Sequence, residues 1–455
     1  MKIIVIGAGK IGNSIIKNLV EDGHDVTVID NNQRVVNEVT DTNDVMVVTG
    51  NGADPETLSE ANAQKADLVI GCTVSDELNM ICCYLARRMG AKHTIARIRN
   101  LEYTPQSLGF IKHEFNLSMT LNPELLVAKE IYNLLKFPSA VKVEKFSRKN
   151  FDMIEIKLPK DSNLDGINLI KMRELYPANY IVCTVQRGEE VFIPDGTFCL
   201  QKGDRIGITA APTEIQKLLK MLGIFKKQAK KIIVVGGGRT SYFLASMFEA
   251  TGNPITIIDK DLNHCEELGR LLPNTNIIHA DGTHQDALLE EGIESVDGFV
   301  ALTGIDEQNI LISMFAKNLN IPTVISKINR EEMANLASTL GHDAYISPLA
   351  TTTNVILRYI RALENGKGSN IETLYKLLDG KAEALEFKVD DSVPFIGIPL
   401  KDLEFKKNTI IAGIIRGRRK IIIPSGNDSI QTDDRVVVIS AGQRFDDISQ
   451  VAKQR

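Results

Sequence analysis

The chain has no tryptophan, and aromatic residues make up only 5% of it. Stacking platforms for single-stranded nucleic acid need more than that. An excess of positive charge is also missing: 53 Lys and Arg stand against 58 Asp and Glu, a net charge of −5. Binding to a phosphate backbone relies on clustered cations that release counterions, so no nucleic-acid partner is expected. Six cysteines occur, Cys72, Cys82, Cys83, Cys183, Cys199 and Cys265, and none forms a Cys-x-x-Cys pair. Neither a zinc site nor a redox dithiol is indicated. The cysteines read as small buried hydrophobes in a reducing cytosol. No run approaches the ~18 uncharged apolar residues of a membrane span. The apolar start, Met1 to Ile6, ends in a Gly-Ala-Gly turn with no small-residue cleavage site after it, which argues against a signal peptide.

What is present is a repeat. The 455 residues are 43% hydrophobic and 24% charged, an ordinary globular composition with room for about three domains. Lys2-Ile3-Ile4-Val5-Ile6-Gly7-Ala8-Gly9 recurs as Lys231-Ile232-Ile233-Val234-Val235-Gly236-Gly237-Gly238, an offset of 229. Thr73 to Asn79 recurs as Thr303 to Asn309, and Asp204-Arg205 as Asp434-Arg435, both offset by 230. Landmarks that hold one register over the whole chain mark a tandem duplication. Gly223 to Lys231 is a basic stretch between the copies and reads as a solvated connector.

Each copy is expected to hold two modules. In the first, short β-branched runs (3–6, 26–29, 45–48, 68–71 and 94–98) alternate with helical patterns such as Ile11, Ile15, Ile16 and Leu19. Apolar strands joined by helices predict an α/β fold with a doubly wound parallel sheet. In the second, alternating runs at 153–158, 180–187 and 204–209 surround a short helix near 167–175, a small α+β unit. The corresponding segments of the second copy are 232–328 and 387–443.

Gly7-Ala8-Gly9-Lys10-Ile11-Gly12 fits G-x-G-x-x-G directly after a strand and at the start of a helix. In that setting Gly7 allows the tight turn, Gly9 lets the backbone approach a pyrophosphate, and Gly12 lets the helix pack on the sheet. The helix N-terminus offers N–H groups to the phosphates. Asp30 closes the second strand 21 residues after Gly9, where a carboxylate can accept ribose hydroxyls; it favours NAD(H) over NADP(H). Asn51 and Gly52, after the third strand, are expected to wall an adenine ring. Thr73 is expected at the carboxyl edge of the sheet, and Arg97, ending the fifth strand, within reach of a pyrophosphate.

The second copy departs from this pattern. Gly236 and Gly238 keep the first two glycines, Ser241 replaces the third, and Arg239 puts a cation at the helix start. Asp259, Asp281 and Thr303 match the ribose acid, the third-strand loop and the edge threonine, and Lys327 takes the place of Arg97. This second site is expected to hold a nucleotide, with the choice between NAD(H) and ATP/ADP left open. His279 and His284 fall near it without a third ligand, so no metal is expected. No group is recognisably placed to move a proton across a nicotinamide, which points away from turnover.

These residues carry a resemblance. The glycine motif, Asp30, Gly50-Asn51-Gly52, the segment Thr73-Val74-Ser75-Asp76-Glu77-Leu78-Asn79-Met80 and Ala96-Arg97-Ile98 make the chain similar to the TrkA family, the cytosolic regulatory subunits of Trk-type potassium uptake systems. The resemblance implies Rossmann-like RCK-N domains at 1–120 and 231–348 and small RCK-C domains at 140–222 and 371–453. It also implies a non-enzymatic sensor of NAD(H), with ATP/ADP as the other ligand. Such a sensor lies peripherally on the inner face of the cell membrane and forms a homo-oligomeric ring, from dimers or tetramers, on an integral-membrane potassium channel or transporter subunit. The helices expected at 122–132 and 353–360 would pack between modules or subunits. Two other classes stay open, an NAD-dependent oxidoreductase and an NADH-responsive regulator of another partner. A DNA-binding regulator would need a basic helix-turn-helix, and neither small module clusters Lys or Arg on a helix.

Overall fold

The computed structural model describes all residues except 141, 147–150, 160, 226, 341–343, 366–370, 418–419, 444, 446 and 453–455. Lys226 of the expected connector and the expected end of the last module, residue 453, therefore lie outside the described residues. Among the described residues no helix is long and apolar enough to cross a membrane.

The first module runs β1 (Lys2–Ile6), α1 (Lys10–Glu21), β2 (Asp25–Asp30), α2 (Gln33–Thr42), β3 (Met46–Thr49), α3 (Pro55–Glu60), β4 (Leu68–Gly71), α4 (Asp76–Met89), β5 (His93–Arg97), α5 (Pro105–Glu114), β6 (Met119–Leu121) and α6 (Pro123–Lys136). The sheet order is β3-β2-β1-β4-β5-β6, with every pair parallel. Ile3 to Ile6 are all buried, as strands covered by helices on both faces require. Helix α1 buries Gly12, Ile15, Ile16 and Leu19 at helical spacing. Ser75 caps α4 through Leu78 N, and Gly90 ends it at a φ of 125°. Three elements escape the sequence reading or exceed it. Helix α5 and strand β6 have short or weakly amphipathic patterns, and α6 extends beyond 132.

The small module of the first copy comprises β7 (Lys142–Phe146), β8 (Phe151–Lys157), α7 (Leu169–Leu175), β9 (Tyr180–Arg187), β10 (Glu190–Phe192), β11 (Arg205–Ala210) and α8 (Pro212–Met221). The second copy repeats the parallel sheet with β12 (Ile232–Val235), α9 (Arg239–Glu249), β13 (Thr256–Asp259), α10 (Leu262–Leu271), β14 (Asn276–His279), α11 (Gln285–Glu290), β15 (Gly298–Ala301), α12 (Asp306–Asn318), β16 (Thr323–Lys327), α13 (Glu331–Thr339), β17 (Tyr345–Ile346) and α14 (Pro348–Asn365). Its order, β14-β13-β12-β15-β16-β17, matches the first. The last module holds β18 (Ile371–Leu377), β19 (Ala382–Lys388), β20 (Thr409–Arg416), β21 (Lys420–Ile422) and β22 (Arg435–Ser440). Both small sheets are five-stranded, β7-β8-β11-β9-β10 and β18-β19-β22-β20-β21, the same order copy for copy. The copies differ in their helices. Where the first has α7 and α8, the described residues of the second have one-turn 3-10 segments at Leu400–Asp402 and Ile448–Gln450.

The chain folds into two compact units, and each unit draws on both copies. One comprises 1–131, 231–319 and 324–356; the other 132–230, 320–323 and 357–455. In the second unit the last module keeps a core of its own around Phe387, Phe395 and Phe445, but the small modules also share a cluster, which a reading of two independent α+β units does not imply. Phe146, Phe151, Met153 and Cys183 of the first copy pack with Tyr375, Leu377, Ala412 and Ile439 of the second. The Thr209 hydroxyl donates to the carbonyl of Ala412 at 2.9 Å. Gly413 lies so close to Phe151 that a Cβ there would sit 2.3 Å from the ring. The cysteine reading holds for five residues, which are buried; Cys199 is exposed.

Candidate functional site

In the first copy the sheet order reverses between β1 and β4, and the turns that follow these two strands flank a crevice. Gly7 takes a φ of 93°, and a Cβ there would lie 2.8 Å from Thr73 N. Only glycine satisfies both demands at low cost. A Cβ on Gly12 would lie 2.0 Å from the Gly7 carbonyl oxygen, so helix α1 can approach the turn this closely only without a side chain. Gly12→Val is expected to lower stability by about 1–3 kcal/mol, since the backbone it meets cannot move aside; a denaturant midpoint equal to that of the parent would contradict the packing.

The N-cap of α1 is Gly9, with no side-chain cap and no acid in the first turn. Helices α2, α3, α4, α5 and α7, in contrast, begin with a capping side chain. Asp30 holds the glycine turn in place. One carboxylate oxygen accepts from Ala8 N at 2.8 Å and the other from Asn32 N at 2.9 Å. Asn79 clamps the opposite edge: its Oδ1 accepts from Thr73 N at 2.7 Å and Thr73 Oγ1 at 2.8 Å, and its Nδ2 donates to the Arg97 carbonyl at 2.9 Å. Asp76, readable from sequence only as a helix-dipole partner, is buried and accepts from the N–H groups of Arg99 and Asn100, both at 2.7 Å. It fixes the loop after β5. The sequence signal for both roles was the repeated Asp-Glu-x-Asn segment, whose partners lie too far along the chain to be paired by spacing.

A cavity of about 670 Å3 opens here. Gly7, Gly9, Lys10, Ile11 and Asp30 line it, together with Asn51, Gly52, Thr73 and Arg97. Of the predicted first-copy residues only Ala8 and Gly12 do not line it. Arg97 is buried, and its Nε has no hydrogen-bond partner among the described residues. Burial pulls its guanidinium below the ordinary arginine range. Cys72 also lines the cavity, but burial pushes its thiol up to about 12, which keeps it protonated and unreactive. Sequence reasoning missed one wall. Thr240, Gly304, Lys327, Asn329, Pro348 and Leu349 belong to the second copy and line this first-copy cavity. Arg99 and Glu124, joined as an ion pair, line it too.

The second copy reproduces the turn and changes what lies over it. Gly236 has a φ of 107°, and Gly237 N donates to Asp259. Asp259 also accepts from Asp261 N at 2.7 Å and faces His264 Nδ1 at 3.6 Å. Ser241 takes the place of Gly12, and its hydroxyl donates to the Gly236 carbonyl, so it fits by a hydrogen bond rather than by absence. A cavity of about 710 Å3 sits over the start of α9. Of the predicted second-copy residues, Gly238, Arg239 and Lys327 line it. Gly236, Asp259, Asp281 and Thr303 line neither this cavity nor the first. Asp281 instead accepts from Thr283 N and Oγ1, a turn-closing role. His279 Nε2 lies 3.2 Å from the Lys260 carbonyl, while His284 faces Asp281. Among the described residues no cluster could hold a metal ion.

Comparison with known proteins agrees with this architecture. The TrkA-N domain model matches residues 3–108 and 232–348, and the TrkA-C domain model matches 153–223 and 384–452. The Trk system potassium uptake protein TrkA homolog 1 of Methanosarcina mazei is 31% identical over 462 residues, covering all of both chains. The Trk system potassium uptake protein TrkA of Vibrio alginolyticus is 31% identical over 451 residues, 98% of this chain and 97% of its own. Among solved structures the GsuK channel shares the fold, with a TM-score of 0.63 at 16% identity over 97% of this chain and 77% of that one. The isolated GsuK RCK domain gives 0.62 at 16% identity, over 97% and 92%. With both domain types matched twice in the order the repeat dictates, the chain belongs to the TrkA family of Trk system potassium uptake proteins.

Proposed function

We propose that the chain is a nucleotide sensor, with NAD(H) held in the first-copy cavity, and that its nucleotide state gates a potassium-translocating membrane partner. The observation that carries this reading is the make-up of that cavity. Nine predicted residues of one copy and a wall from the other surround a single space. A ligand there touches both copies, and a ligand shifts an equilibrium between two arrangements only through different contacts in each.

The residues fit a dinucleotide. Arg97 brings a buried cation whose Nε has no partner among the described residues. At Gly9 there is open space where a Cβ would stand. Helix α1 directs uncapped N–H groups toward the same place. A dinucleotide supplies a charged pyrophosphate and two ribose diols. Arg97 and the N–H groups of α1 would hold the first, Asp30 would accept from a ribose, and Asn51 and Gly52 would wall the base. ATP/ADP is the alternative ligand, above all for the second cavity, where Arg239 and Lys327 stand but Asp259 is turned to other partners. The curated relatives named as potassium uptake proteins support the choice of partner. The GsuK channel has been solved bound to NAD and bound to ADP, which supports the choice of ligand. Closed symmetric assembly is the default for such subunits, so a homo-oligomeric ring on the inner membrane face completes the reading.

The test is potassium flux into liposomes that hold the Trk-type partner. Adding the chain should change flux in a nucleotide-dependent way, and a coupling of about 1–3 kcal/mol is enough to alter open probability several-fold. Unchanged flux at every NADH, NAD, ATP and ADP level, with no complex on size exclusion, would refute the assignment. Incubation with NADH and a metabolite panel should leave absorbance at 340 nm at its uncatalysed rate. A substrate that supports steady oxidation would instead promote the oxidoreductase.

A further inference from the structure

Four side chains, Arg99, Glu124, Thr240 and Lys327, wall both cavities. They are not equivalent. Arg99 is already committed, with its guanidinium on Glu124 Oε1, the Nε at 2.7 Å. Thr240 is neutral. Lys327 makes no ion pair among the described residues; its Nζ donates only to the Leu302 carbonyl, at 3.3 Å. Burial pulls its ammonium below the usual lysine range, and the neighbouring Asp306 and Glu124 offset this only in part. An ammonium so placed gains more from an anion than an exposed one does, because the local dielectric is lower.

By sequence, Lys327 ends β16 as Arg97 ends β5, and so should serve the second copy. The structure gives it a place in the first. Resting on the nucleotide reading above, we propose that Lys327 of the second copy compensates phosphate charge in the first-copy cavity, making it a specificity residue that acts across the duplication. The first-copy site then reads phosphates with two cations of different origin. Arg97, in cis, holds the place that the strand order gives it. Lys327 tells the second copy whether a phosphorylated ligand is present. A ligand without phosphate fills the adenosine end alone and gains nothing from this contact.

Calorimetry with three probes, NADH, ADP and adenosine, separates charge compensation from a packing role. Lys327→Met should bind NADH and ADP about twelvefold more weakly, the low end for the loss of one charge-assisted contact, and adenosine as the parent does. Lys327→Arg should restore the phosphate ligands. Lys17→Met, at an exposed lysine of α1 that lines neither cavity, should leave NADH within about twofold of the parent. Should Lys327→Met fail to fold, the Cε resonance of Lys327 in the parent, assigned through Lys327→Arg, must shift with NADH and stay in place with adenosine. Equal losses for adenosine and NADH, no loss at all, or an unmoved resonance each overturn the inference. If the inference alone is wrong, Asp30→Ala still weakens NADH. A parent that binds none of the three probes overturns the nucleotide reading as well.

Discussion

Asp30→Ala should weaken NADH binding roughly thirtyfold in calorimetry, about 2 kcal/mol, which is one charge-assisted hydrogen bond with no water able to replace its geometry. The size follows from a double duty. In the proposed reading the carboxylate accepts from a ribose, and in the structure it anchors the glycine turn through Ala8 N at 2.8 Å and the next loop through Asn32 N at 2.9 Å. Removing it takes away a ligand contact and loosens the turn that presents α1. Asp30→Asn should fall in between, since one oxygen still accepts from a backbone N–H. The equivalent change at Asp259 should cost NADH less, because Asp259 borders neither cavity. Full NADH binding by Asp30→Ala together with a loss at Asp259→Ala would reverse the ranking of the two sites.

The second large effect concerns stability. Asp434→Ala should lower the unfolding free energy by about 3 kcal/mol, read as a drop in denaturant midpoint without a change in slope. Asp434 is 1% exposed. Its two oxygens take Arg416 Nε at 2.9 Å and Nη2 at 2.7 Å, and one also accepts from Gln431 N at 2.9 Å. Arg416 continues to the Ser429 carbonyl at 2.8 Å, so the pair ties β20, β22 and the turn before β22. The cost comes from the partner left behind, a fork of N–H donors with only one carbonyl remaining. The first copy repeats the arrangement with Arg187, Asp204, Gln201 N and the Cys199 carbonyl. Asp204→Ala should therefore behave alike. A loss below about 0.5 kcal/mol at either position would show that the fork finds water instead.

Much of this was legible before any coordinates. The glycine turn, Asp30 and Arg97 announce themselves because the strand, the turn and the helix start are local features with fixed spacing. The Asp204 and Asp434 landmarks marked the repeat register without revealing that each closes an ion pair. Other features depend on what one segment meets far along the chain. Nothing around Lys327 indicates that it walls the cavity of the other copy. Asp281 carries the same turn residues as a ligand loop and uses them to hold Thr283. Strand β6 spans three residues, too few to show a period. The merged core of the small modules is invisible to periodicity, since alternation tells which face is buried and not against what.

That merged core sets a timetable for synthesis. Phe151 is made 262 residues before Gly413, the residue that lies against its ring. At roughly 5–20 residues per second the ribosome needs some 13–50 s to bridge that gap. Throughout it, Phe146 and Phe151 lack the second-copy side chains that complete their cluster. A transcript cut after the first copy would make that lack permanent. Such a half-length product must either borrow the missing face from a second molecule or become a client of chaperones and proteases.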